Sequence, residues 1–317
     1  MLATFLTFLA VLNFADCAYN GRPIIAVLAQ EINSTNLDKT YIPASYVKAL
    51  EAAGARVVPL LIRQDEKYYR DNMAFINGVV FPGGAANLTM KGGFAEAANI
   101  IYKIAKEIND NSNGTQVFPI LGVCQGMEVI SVIAANMTSP LVQCSAENMN
   151  LPLKFEKNYQ FSRLYRNLSP EINYLLSRVP VTVHHHHFCL TEHGLNAFGL
   201  SLDWRILSTN QDQGGLKFIS SMEHRSLPFV GVQFHPEKPA YEWHPIQHNP
   251  HNYKSILANR YFYDWLVNVS KQNDHRYPNK TAEKDALIYN YPATYTPDSY
   301  DLQYYYFEKK EKSTTNF

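Results

Sequence analysis

The chain has no charge of one sign to spare and few cysteines: 28 lysines and arginines balance 28 aspartates and glutamates, and 317 residues hold four cysteines. No long run of like charge breaks that balance, so nothing argues for nucleic acid or an anionic membrane surface as a partner. Beyond the first 18 residues no stretch is long and apolar enough to span a bilayer. No internal repeat is found. What is present is an ordinary globular composition, 46% hydrophobic, in a length that suits one large α/β domain or two small ones.

The exception to the lack of long apolar runs is residues 1–18, which end in small residues and have the length of a signal peptide rather than a membrane span. Seven Asn-x-Ser/Thr sequons, at Asn33, Asn87, Asn113, Asn136, Asn167, Asn268 and Asn279, support entry into the secretory pathway. Loss of the leader removes Cys17 and leaves Cys124, Cys144 and Cys189. Three cysteines cannot all pair, and a catalytic thiol is the natural leftover in an oxidising compartment. Whether Cys144 and Cys189 pair is open at this point.

Apolar runs at 23–29, 56–61, 78–82 and 118–123 read as strands, each followed by a helical pattern. The alternation predicts a mostly parallel central sheet with helices on both faces, a three-layer α/β/α sandwich. Pro59 suggests that its strand lies at an edge. Further strands are expected at 181–183, 204–208, 216–220 and 229–234, with Asp212 to Gly215 as a hairpin-like turn. A final helix is expected over 252–270, and the Tyr-rich residues 271–317 read as a tail strapped across the surface of a single domain, 19–317. Between 139 and 180 the pattern predicts little beyond loops and a short helix.

Two stretches carry chemistry. Phe118 to Ser131 reads as a strand, a sharp turn at Cys124 and a helix, the arrangement known as a nucleophile elbow. At a helix N-terminus the free N–H groups and the dipole favour a thiolate, which is the attacking form. The backbone N–H of Gln125 and the turn at Gly83-Gly84 offer donors for a developing oxyanion, here assigned to Gln125 and Gly84. Gly231 to Lys238 delivers His235 to another strand end, with Glu237 placed to turn back onto the imidazole; thiol, base and orienting acid are the parts of a cysteine hydrolase. Glu128, one helical turn after Cys124, is placed to meet a substrate ammonium. The run His184 to His187 is not read as a metal site, because a strand sends alternate residues to opposite faces and no nearby cysteine or acidic pair completes a shell. A substrate contact from one of these histidines is expected instead.

The sequences Gly122-Val123-Cys124-Gln125-Gly126 and Phe234-His235-Pro236-Glu237-Lys238 resemble the signature of class I glutamine amidotransferase-like domains, and within them the gamma-glutamyl hydrolases. Tyr41 to Lys48, Ala53 to Pro59, Ile76 to Gly84, His235 to Trp243 and Glu283 to Tyr289 extend the resemblance over about residues 22 to 307. It implies a flavodoxin-like fold and a lysosomal or secreted thiol hydrolase, with no cofactor, that cuts gamma-glutamyl bonds in the polyglutamate tails of folates and antifolates. It also implies a homodimer. Matched by motif, Cys124 takes the nucleophile position, His235 the base and Glu237 the residue behind it, while Tyr46, Glu128 and His186 fall at pocket positions. The segment around His184 departs from the family's Asn-Phe/Tyr-His pattern. Competing readings are a glutaminase feeding a synthase, for which this chain has no synthase domain, and a secreted folate or peptide binder without catalysis.

Overall fold

The computed structural model describes residues 20–33, 36–112 and 114–308. The leader at 1–18 and Asn113 lie outside the described residues, as does the side chain of Asn33. The chain begins with β1 (Ile24–Leu28), β2 (Gln30–Asn33), β3 (Asn36–Pro43), α1 (Ala44–Ala52), β4 (Arg56–Leu60), α2 (Glu66–Met73) and β5 (Gly78–Phe81). There follow α3 (Phe94–Asn111), β6 (Ile120–Val123), α4 (Gln125–Ala134), β7 (Leu141–Leu151), β8 (Lys154–Phe155), α5 (Pro170–Arg178) and β9 (Thr182–Leu190). The rest comprises α6 (Glu192–Ala197), β10 (Trp204–Gln211), β11 (Lys217–His224), β12 (Phe229–Val232), α7 (Lys238–Tyr241), α8 (Tyr253–Ser270), α9 (Lys280–Ala286), β13 (Ala293–Tyr295) and β14 (Gln303–Glu308).

The central sheet has eight strands in the order β4-β1-β5-β6-β12-β11-β10-β8. The first five are parallel, and β11, β10 and β8 join antiparallel. Pro59 lies on edge strand β4, where its missing N–H breaks no ladder. Period two divides β1 between two cores. Ile24, Ala26 and Leu28 pack with Phe94, Ile101, Met127 and Ile130 from α3 and α4. Ile25 and Val27 pack with Val47 and Leu50 of α1 and Phe262 and Leu266 of α8. A strand buried on both faces must be apolar at every position, which is why these strands read as continuous runs.

Two elements depart from the sequence expectation. The C-terminal stretch is not only a surface strap: β14 pairs antiparallel with β3, from Tyr304 opposite Pro43 to Glu308 opposite Lys39, within a four-stranded sheet β13-β14-β3-β2. The stretch read as loops contains β7, which pairs with β9 in a two-stranded ribbon. β9 runs on past Val183 through all four histidines. The other strands and helices that the sequence pattern predicts lie within a few residues of their expected places, whereas that pattern does not predict β2, β3, β13 or the short helices α6, α7 and α9.

Phe262 fills the α8 side of the sheet, fully buried with its ring 5.0 Å from that of Phe234. Phe262→Ala is expected to cost about 3–5 kcal/mol in denaturant unfolding, the range for emptying a packed aromatic site. A loss below about 1 kcal/mol would mean that this face is loosely packed.

Candidate active site

β6 ends at Cys124, whose φ of 51° and ψ of −112° lie in a region that a non-glycine residue occupies only when its surroundings hold it there. They do. The Cys124 N–H donates to Val232 O at 2.8 Å, and the Cys124 carbonyl accepts from Met127 and Glu128 at 2.9 and 3.1 Å, starting α4. A Cβ at Gly126 would stand 1.8 Å from the carbonyl oxygen of Phe81, so α4 meets β5 backbone to backbone. Gly83 marks the point of convergence. A Cβ there would lie 2.7 Å from His235 Cε1, 2.8 Å from the Tyr46 hydroxyl and 3.1 Å from Cys124 Cβ.

His235 follows β12, with its N–H on Val183 O at 2.8 Å. Its Nδ1 lies 2.6 Å from Glu237 Oε1, and both side chains are buried. The carboxylate therefore accepts a hydrogen bond from Nδ1–H and leaves the lone pair on Nε2, which has no hydrogen-bond partner among the described residues. The Tyr46 hydroxyl accepts from Gly83 N–H at 2.8 Å and stands 3.4 Å from His235 Nδ1. The next donor, Gly84 N–H, has no acceptor among the described residues. Gln125 N–H, the first donor after the thiol, acts to lower the Cys124 pKa.

Burial, then the carboxyls of Glu128 and Glu237, push the Cys124 thiol well above its ordinary range, more than the Gln125 N–H lowers it. Burial and these two carboxyls thus act against the thiolate expected at the helix N-terminus, and the thiol donates weakly to His185 O at 3.9 Å. Glu128 also departs from its expected role. It is buried behind the thiol, accepts from Gln233 Nε2 at 3.0 Å, and burial raises its carboxyl to about 7. It does not line the cavity.

The cavity above Cys124 has a volume of about 290 Å³. Cys124, His235, Glu237, Gly84 and Tyr46 line it, and of the four histidines His185 and His187 do so, not His186. His186 faces the other side of β9, against the ring of Phe218, because neighbours on a strand point oppositely. His185 is held by Glu147 Oε1 at 3.0 Å and Asn249 Oδ1 at 3.1 Å. Cys144 and Cys189 are joined in a disulfide beside His186, so cysteines do stand near the histidine run, contrary to the sequence expectation.

Two supports escaped the sequence reading. Gln30, fully buried, packs against Gly84 and donates to Pro82 O and Gln125 Oε1, both at 3.3 Å. Gln125 in turn clasps Ala86, accepting from its N–H and donating to its carbonyl at 2.8 Å each. Together they fix the turn that carries Gly83 and Gly84. The other support is the C-terminal segment: Tyr300, Asp301 and Tyr304 line the cavity, and Asp301 Oδ1 meets Lys238 Nζ at 2.6 Å, next to the His235 turn. Neither isolated glutamine nor isolated aspartate carries a motif; a buried cation at Lys238 was the available signal, since it demands a partner. Asn87, Asn136, Asn167, Asn268 and Asn279 are all exposed.

A sequence model of the peptidase C26 family matches residues 23–237. The gamma-glutamyl hydrolase of Rattus norvegicus is 35% identical over 288 residues, covering 90% of this chain and 89% of its own. That of Homo sapiens is 33% identical over 289 residues, with the same coverage of 90% and 89%. Gamma-glutamyl hydrolase B of Dictyostelium discoideum is 31% identical over 302 residues, covering 94% of this chain and 86% of its own.

The raised Glu128 carboxyl makes a signed prediction. The native state keeps a proton that the unfolded chain loses between 4.5 and about 7, so this group's contribution is lost as pH rises through that window. The loss is on the order of 2–3 kcal/mol. The buried histidines His184, His185 and His186, all lowered by burial, act oppositely and lose stability as pH falls below 6.5. The isosteric Glu128→Gln therefore isolates the term: its stability relative to wild type should rise between pH 5 and pH 7.5 in urea unfolding. A difference independent of pH would contradict the assignment.

Proposed function

The chain belongs to the peptidase C26 family, and we propose that it is a cysteine-type hydrolase of gamma-glutamyl bonds in folate and antifolate polyglutamates, with Cys124 as nucleophile. The observation that supports this reading most is the meeting of Cys124, His235 and Tyr46 over Gly83, at the floor of the cavity.

In the proposed reaction His235 Nε2 takes the proton of the neutral Cys124 thiol as the sulfur attacks the gamma-carbonyl carbon. Proton and charge separate only inside the complex, so the buried thiolate never waits unpaired. Glu237 stabilises the imidazolium through the short Nδ1 contact. The oxyanion turns to the N–H groups of Gly84 and Gln125, where a single such donor contributes about 10²–10³ in rate. Collapse expels the next glutamate as its amine, which receives the proton from His235. Water, activated by the same imidazole, then cleaves the thioester. Tyr46 and His185 border the acyl unit, and the tyrosines of the C-terminal segment border the rest of the tail.

The leader and the exposed sequons support maturation in the secretory pathway, with lysosomal or extracellular delivery. Peptide N-glycosidase treatment of the secreted protein should lower its mass by whole glycans.

The test of the reading is glutamate release from a folate penta-gamma-glutamate at acidic pH, with an alpha-linked pentaglutamate as control. Wild type should cleave only the gamma-linked chain. Cys124→Ala should abolish turnover while unfolding as wild type does. His235→Ala should lose on the order of 10²–10⁴ in kcat, and Glu237→Gln on the order of 10³–10⁴ through the wrong tautomer. Turnover by folded Cys124→Ala would remove the nucleophile assignment. No cleavage by folded wild type would leave a binder, and equal cleavage of the alpha-linked control a peptidase of other specificity.

A further inference from the structure

The face of β9 turned away from the cavity carries a chain of polar groups that the reaction does not use. The Thr182 hydroxyl donates to Leu151 O at 2.7 Å and lies 3.1 Å from His184 Nε2. His184 Nδ1 lies 3.1 Å from His186 Nε2, and His186 Nδ1 lies 3.1 Å from Phe188 O. These links can be counted for protons. The Thr182 hydroxyl can turn to His184 Nε2, which completes the ladder with Nδ1–H donors on both rings; with its proton on Leu151 O instead, His184 donates from Nε2 and His186 donates from Nε2 to the bare Nδ1 of His184. A neutral His186 then has a lone pair on Nδ1, facing the lone pairs of the Phe188 carbonyl. In that tautomer the Phe188 carbonyl faces His186 Nδ1 with no proton between them. A cation other than a proton would satisfy both facing atoms.

The other neighbours of that nitrogen are sulfurs. His186 Nδ1 lies 3.5 Å from Cys144 Sγ and 3.4 Å from Cys189 Sγ, the two ends of the disulfide. A tetrahedral zinc ion with bonds of about 2.0–2.1 Å to nitrogen and 2.3 Å to sulfur requires N···S separations of about 3.5 Å. The imidazole already stands at that distance from both sulfurs. What remains is for the sulfurs to part to about 3.8 Å, the S···S spacing that the same bonds require. Cys144 lies in the register shift of β7, between the pairs Gln143–Phe188 and Ala146–His186, where an extra residue leaves the strand room to move. His184 behind His186 is the kind of hydrogen-bond partner that orients a metal-bound imidazole.

We propose that Cys144, Cys189, His186 Nδ1 and Phe188 O form a redox-gated site for a thiophilic divalent cation of the zinc class, closed by the disulfide and opened by its reduction. A low-molecular-weight thiol supplies two electrons and two protons, leaving as its own disulfide and producing two thiols. Binding of the cation releases those two protons, so affinity rises with pH. Two thiolates and one imidazole select a soft or borderline ion over calcium or magnesium. The site lies on the same strand as His185, whose carbonyl meets the Cys124 thiol, so its state bears on one wall of the cavity.

The test uses the chain from residue 19 onward with Cys124→Ser, which leaves Cys144 and Cys189 as its only cysteines, and Co²⁺ as the probe at pH 7.5. After reduction by a phosphine the protein should bind one Co²⁺ per chain and show sulfur-to-cobalt charge transfer in the near ultraviolet; before reduction it should show none. Cys144→Ser and Cys189→Ser should each weaken that band, and His184→Ala should lower affinity by about 10–100-fold. Zn²⁺ should displace the cobalt. A reduced, folded protein without the band would overturn the proposal, as would a band indifferent to both cysteine substitutions. If reduction alone loosens the chain, Zn²⁺ should restore its near-ultraviolet circular dichroism, and failure to do so counts equally against the site.

Discussion

The backbone contact between α4 and β5 governs the molecule. Gly126 lies so close to the Phe81 carbonyl that no side chain fits between them, and that approach holds Cys124 at a positive φ. A residue kept there costs on the order of 1–3 kcal/mol. The cost is carried by the apolar layers on the two faces of the sheet, where single large side chains each contribute about 1.5–3 kcal/mol. The strain is spent on direction: the sulfur leaves the strand end and meets a base that comes from a different strand.

Electrostatics complete what the backbone begins. The site buries several ionisable groups, and its two anchoring carboxylates have partners: Glu237 has the His235 imidazole and Asp301 has Lys238. The second pair brings the C-terminal segment onto the turn that carries the base, so residues far apart in sequence share one cavity wall. Burial keeps the thiol protonated at rest, and the lone pair of His235 makes ionisation a local transfer rather than a release to solvent. A buried pair of this kind is strongly weakened by loss of one partner, because the other charge is left in a poor solvent.

Much of this was legible from the residues. Strands covered on both faces must be apolar throughout, so β1, β4, β5 and β6 declared themselves, and Pro59 placed β4 at the edge. Cys124, His235 and Glu237 stand at strand ends in short motifs whose local geometry is nearly dictated. What stayed hidden depends on partners. β7 is rich in polar residues such as Gln143, Glu147 and Asn150, and it belongs to a two-stranded ribbon with no sheet face to bury, so its sequence lacks a strand period. The pocket histidine was displaced by one, from His186 to His185, because four identical residues leave the register of β9 undefined until Val183 is seen to pair with His235. Gln30 and Asp301 act through contacts across 95 and 63 positions, which no local pattern encodes.

The central claim is that Cys124, neutral at rest, becomes covalently acylated in each cycle. Intact-mass spectrometry of acid-quenched turnover, with peptide mapping, tests it most directly. The account predicts a gamma-linked acyl adduct on Cys124 in wild type, absent from Cys124→Ala. Steady product release with no adduct at any time, or an adduct mapped to another residue, would contradict it.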